Sequence, residues 1–154
     1  MEVLVFHIDA QRYGVHLAAL REVVAAVRIT ALPAAPAVVE GVIDVRGRLA
    51  AVFDLRRRFQ LPPRPLHSTE RLVIATAGAR LVAFRCDHVE GLVALDPAHL
   101  EDPREAVPGA KQVCGVARLE DGLLLIHDLE AFLSEAETEA LEGALETQHR
   151  GDGE

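Results

Sequence analysis

Cys86-Asp87-His88 is the one place in this sequence where a thiol, a carboxylate and an imidazole stand together. A Cys-His nucleophile needs its histidine beside the sulfur and donors waiting for an oxyanion. Along one strand Cys86 and His88 would share a face and Asp87 would not. No glycine turn beside Cys86 or Cys114 offers an oxyanion hole, so a small enzyme built on either thiol is the weakest reading. Both cysteines lie in apolar runs and are expected to be buried, reduced core residues. Histidines stand at 7, 16, 67, 88, 99, 127 and 149 without an H-x-x-x-H, and neither cysteine has a C-x-x-C partner. No metal site is expected from that spacing. His7, His16 and His127 alternate with apolar residues, which points to rings facing solvent or a satisfied polar niche. Serines 68 and 134 stand in loop or cap contexts, and no phosphate-cradling glycine pattern occurs. No catalytic residue and no cofactor is assigned.

The arginines are the stronger signal. Residues 40–64 carry Arg46, Arg48, Arg56, Arg57, Arg58 and Arg64 against Glu40, Asp44 and Asp54, a local charge of +3 in a chain of -8. Single-strand nucleic-acid recognition needs aromatics interleaved with such bases, and only Phe53 and Phe59 are near. Arg56–Arg58 read as a solvated or partner-facing surface. Arg46 differs, because it precedes a glycine at a turn and can present a rigid fork to a carboxylate. Glu22 sits inside LREVVAAV, where a carboxylate is costly unless exposed or paired. Glu22 and Arg46 are therefore expected to pair across neighbouring strands.

The elements that must position these residues are mostly strands. Short apolar or β-branched runs occur at 3–8, 13–17, 21–29, 41–45, 48–55, 71–77, 80–86, 90–95, 113–119 and 122–129. GAR (78–80) and EDG (120–122) suit hairpin turns, and the prolines of LPAAP (32–36) and LPPRP (61–65) mark loops. Ten strands without helical crossovers argue for a mainly β protein made of small antiparallel barrels. Ser134 and Glu137 form a capping-box pattern, so an acidic helix is expected over 135–147, with Ala136, Ala140, Leu141, Ala144 and Leu145 on its apolar face. Residues 148–154 are expected to be a disordered tail.

The sequence also echoes itself. A shift of 74 lays Gly41, Val42, Leu49, Asp54 and Leu55 on the identical Gly115, Val116, Leu123, Asp128 and Leu129. A looser echo, at a shift of 69, lays residues 15–24 on 84–93. The pattern implies a duplicated barrel within 1–134, divided at roughly 13–70 and 71–130 with the N-terminal strand exchanged. A pI near 5.3 opposes nonspecific binding to DNA or anionic membrane. No apolar run reaches the ~20 residues that span a bilayer, and MEVLVFHIDA lacks the basic start of a signal peptide, so a cytoplasmic protein is expected.

Taken as an ordered set, VLVFHIDAQRYGVHLAALREVV, ITALPAAPAVVEGVIDVRGRLAAVFDLRRRF, RLVIATAGARLVAFRCDHVEGLVAL and GVARLEDGLLLIHDLEAFL resemble the CheW family over about residues 2–147. The resemblance implies two intertwined five-stranded SH3/OB-like barrels, a C-terminal helix and no enzymatic activity. It implies a chemotaxis adaptor at receptor arrays on the inner face of the membrane. Its partners would be the regulatory domain of a CheA-type histidine kinase and the cytoplasmic tip of a methyl-accepting chemotaxis receptor. The family's functional glutamate falls on Glu22 and its arginine on Arg46, while Leu20, Gly41, Val82 and Phe84 match positions that help line the receptor-facing side. Asp44 replaces an asparagine, and Ala83 and Arg85 replace a glycine and a valine. The alternatives are an OB-like module for single-stranded nucleic acid, and a specialised relative that binds receptor but not kinase.

Overall fold

A computed structural model describes residues 1–103, 113–120 and 122–152, with side chains at all of these except 113, 114, 136 and 148–152. The ten expected strands form: β1 (Glu2–Ile8), β2 (Gln11–His16), β3 (Leu20–Ala25), β4 (Val39–Val45), β5 (Arg48–Phe53), β6 (Arg71–Ala77), β7 (Arg80–Cys86), β8 (His88–Ala94), β9 (Val113–Leu119) and β10 (Gly122–His127). Helices α1 (Leu55–Arg58) and α2 (Glu135–Asp152) accompany them.

The strands divide into two five-stranded sheets, ordered β8-β1-β2-β10-β9 and β3-β6-β7-β5-β4. We call them sheets A and B. Neither is wholly antiparallel, against the antiparallel barrels expected from the strand count, because β10 runs parallel to β2 and β5 parallel to β7. Each sheet is drawn closed on itself by a two-bond bridge, Thr30 with Val42 in B and Glu101 with Val116 in A.

The internal echo is a physical duplication. A shift of 69 carries β1 and β2 onto β6 and β7 and the start of β3 into β8, and a shift of 74 carries β4 and β5 onto β9 and β10. The sheets nevertheless mix the halves. Sheet A joins β1 and β2 to β8–β10, and sheet B joins β6 and β7 to β3–β5, so each repeat lends its first hairpin to the other. The sequence division at 70/71 is therefore not the spatial one, and a whole hairpin is exchanged rather than one strand.

Burial follows from this arrangement. Phe6 and Ile8 of sheet A meet Phe53, Val73, Val82 and Phe84 of sheet B in one shared core. The opposite faces line separate barrel interiors, Ile43, Val52, Leu72 and Ile74 in B and Val3, Val5, Leu124 and Ile126 in A. Strands covered on both faces read as continuous apolar runs, and the edge strands β3 and β8 alternate.

Chain ends and turns follow local chemistry. The capping box of α2 forms, with Ser134 N–H donating to Glu137 Oε1 at 2.9 Å and Glu137 N–H to Ser134 Oγ at 3.1 Å. Leu141 and Ala144 are buried on the shared core, Leu145 is half-buried and Ala140 is exposed, so the apolar face is narrower than expected. Ala136 lies outside the described side chains. The helix passes the expected end at 147 and runs to Asp152, which removes most of the expected tail. Asp54, expected inside a strand, instead caps α1 by accepting from Arg57 N–H at 3.0 Å.

Candidate partner-binding site

β4 and β5 are joined by a tight hairpin turn in which Arg46 has φ 49° and Gly47 φ 88°. Consecutive positive φ values match the twist of the flanking strands, but a long side chain in that region is disfavoured. Asp44 Oδ1 accepts from Gly47 N–H at 2.8 Å and holds the turn. The guanidinium of Arg46 thereby reaches the edge strand β3, where Nη1 donates to Glu22 Oε1 at 2.9 Å and Nη2 to Glu22 Oε2 at 2.8 Å. This two-bond fork is the pairing expected from the sequence. It holds Arg46 further in its charged form, since Glu22 raises an already high pKa. Arg46 remains 80% exposed and Glu22 25%, so the pair lies at the surface across the open seam of barrel B.

The cleft around it is lined by Arg21, Glu22, Val45, Arg46, Arg48, Ile74 and Leu81 and encloses about 300 Å³. Its floor is the end of the barrel B interior, where Ile74 and Leu81 are buried and Val45 packs on them. Leu20, half-buried two residues before Glu22, packs on the shared core instead. Gly41 is set back in β4, where a Cβ would lie 2.1 Å from Thr30 O. Its role is to admit the backbone of Thr30, which bridges to Val42.

Val82 and Phe84 are not at the surface, against the expectation for a receptor-facing strand. Both are 0% exposed, because β7 is the middle strand of sheet B and is covered on both faces. Any influence they have on a partner passes through packing. Ala83 is buried in the barrel B interior, and Arg85 is drawn into ion pairs inside the chain.

Arg56 and Arg58 depart from the expected solvated triplet. Arg56 is 9% exposed and pairs with Asp9 at 2.8 Å and Asp87 at 3.2 Å. Arg58 meets Glu137 of α2 at 2.6 Å and lies over the Phe132 ring. Arg57 alone is exposed. Arg56 belongs to a chain of alternating charges: Glu40, Arg85, Glu70, Arg64, Asp87, Arg56 and Asp9. Glu70 is 2% exposed, and burial raises the pKa of Glu40 while Arg85 opposes that rise. Sequence reasoning missed this network, whose members are scattered over nearly 80 positions with no common spacing.

The cysteine and histidine expectations divide. Cys86 is buried, and burial pushes its thiol up to about 12, so it is no nucleophile at neutral pH. It ends β7 while His88 opens β8, exposed, so the two do not share a strand face. The Cys114 side chain lies outside the described residues. His7 meets Glu90 at 3.2 Å. His127 has no polar niche: both ring nitrogens are buried without a hydrogen-bond partner, among Phe6, Tyr13 and Phe59. The echo carried a signal for it, because the 74-residue shift places His127 on the buried Phe53.

Residues 2–137 match the CheW-like domain family. The chemotaxis protein CheW of Treponema pallidum is 23% identical over 91% of this chain and 86% of its own length. That of Klebsiella aerogenes is 25% identical over 88% of this chain and 83% of its own. The crystal structure of the scaffolding protein TtCheW from Thermoanaerobacter tengcongensis superposes with a TM-score of 0.80 at 26% identity, covering 88% of this chain and 94% of that one. The fold is thus that of a known scaffold, and this chain belongs to the CheW family of chemotaxis scaffold and adaptor proteins.

Proposed function

We propose that this protein is a cytoplasmic, noncatalytic coupler that joins the signalling tip of a chemoreceptor to the regulatory domain of a CheA-type histidine kinase at a membrane-associated array. One observation carries the reading. The Glu22–Arg46 fork has no counterpart at the equivalent positions of the other barrel, where the shifts of 69 and 74 place Gly91 and Glu120. The barrel fold therefore does not require the pair, yet the chain keeps it at a disfavoured backbone position. Strain retained at an exposed site supports a role in recognition. The departures from the family pattern do not favour a receptor-only relative, because Asp44 serves the turn and Arg85 is satisfied internally.

The mechanism is geometric. A partner that binds one arrangement better than another shifts the equilibrium of the assembly by that difference alone. The test is binding of a receptor-tip fragment and of the kinase regulatory domain, measured separately by calorimetry. Glu22→Arg or Arg46→Glu should each weaken receptor-tip binding about tenfold, and the exchanged double variant should recover part of the loss. Absence of both interactions in the unaltered protein at on the order of tens of micromolar would remove the coupling function.

A further inference from the structure

We infer that the barrel B mouth takes an acidic protein segment, with carboxylates flanking one apolar side chain, and that Arg21 and Arg48 determine this specificity. The inference rests on the partner-coupling reading of the same mouth and names the chemistry of what enters it.

Acids outnumber basic residues 24 to 16 in this chain. Arg46, Arg56, Arg58, Arg64, Arg80, Arg85 and Arg118 each meet a carboxylate. Arg21 and Arg48, both exposed, meet none among the described residues, and both line the cleft beside the Glu22–Arg46 fork. Both oxygens of Glu22 are already used by Arg46. Asp44, the acid two residues before Arg46, does not line the cleft and accepts from Gly47 N–H. The mouth thus presents two uncompensated guanidiniums over an apolar floor of Val45, Ile74 and Leu81.

The other barrel supplies the contrast. The positions equivalent to Arg21, Arg46 and Arg48 are Glu90, Glu120 and Gly122. At these three positions the positive charge belongs to one mouth and is not required by the barrel. Long, flexible arginines at the rim of an apolar patch favour a partner of opposite charge with a side chain to bury. Nucleic acid fits poorly, since the chain is -8 overall and no aromatic lines the cleft for stacking.

The probe is a pair of synthetic peptides of equal length, one with leucine flanked by glutamates and the other with leucine flanked by lysines. Titration is followed by NMR of the arginine Nε–H groups and the Ile74 and Leu81 methyls. The glutamate peptide should shift Arg21, Arg48 and both methyls, with affinity falling as salt rises, and the lysine peptide should shift none of them. Arg21→Glu and Arg48→Glu should each weaken the glutamate peptide about fivefold. Equal response to both peptides, shifts confined to barrel A, or a response traced to self-association would overturn the inference. Receptor-tip binding that persists unchanged in the Arg21→Glu/Arg48→Glu double variant would overturn it while leaving the coupling function standing. If the receptor tip fails to bind the unaltered protein, the coupling reading fails first.

Discussion

Arg46 separates stability from recognition within one residue. Its φ of 49° suits glycine, so Arg46→Gly should leave the melting temperature within about 2 °C of the original or raise it. The same variant should lose receptor-tip affinity about tenfold, because Glu22 loses its partner and the mouth a charge. Parallel melting and binding curves check both halves; a large loss of stability would mark Arg46 as structural. His127 makes the opposite trade. Burial lowers its pKa from the ordinary 6.5 to about 4, with no charged side chain answering it. A folded-state pKa below the unfolded one means that the unfolded chain takes up the proton first as pH falls. Stability should therefore decline between pH 6.5 and 4, by about 3 kcal/mol in full, and be insensitive to His127 above 6.5. His127→Phe should flatten that limb, as read by denaturant titration across the range.

At the scale of the element, the two duplicated hairpins differ in how tightly their seams close. A Cβ at Gly41 would stand 2.1 Å from Thr30 O, a backbone atom that cannot move without breaking the bridge to Val42. At the equivalent Gly115 the nearest atom is Leu100 Cδ1 at 3.4 Å, the end of a side chain. Gly41→Ala should cost about 3 kcal/mol or more, and Gly115→Ala under about 1 kcal/mol. Equal losses in chemical denaturation would refute the distinction. The family resemblance placed Gly41 on a receptor-facing side; the element gives it a plain structural reason.

At the scale of the molecule, the exchanged hairpins leave two barrels that share one core, and the alternating charge chain stitches its rim. Arg56 on α1, at the end of sheet B, grips Asp9 in the β1–β2 turn of sheet A and Asp87 in the β7–β8 connection. Arg56 is the buried member, while Asp9 is half exposed and Asp87 keeps Arg64, so removing the guanidinium costs less than breaking a fully buried pair. Arg56→Met should cost about 2 kcal/mol and raise hydrogen exchange in the β1–β2 turn before other parts of sheet A. Uniform exchange throughout both sheets would argue against a local clamp.

The ten strands, both proline loops, the capping box and the duplication were legible in the sequence, because each rests on local propensity or on a repeat spacing. The Glu22–Arg46 pairing was legible too, since a carboxylate in an apolar strand and an arginine at a turn each need a partner. Which hairpin joins which barrel was not, because an exchanged hairpin satisfies the same pattern of apolar faces as an unexchanged one. Nor could spacing show that β7 lies mid-sheet, burying Val82 and Phe84, or that Arg56 turns inward while Arg57 does not. Burial and ion pairing are relations between distant segments, and only the tertiary structure brings those segments together.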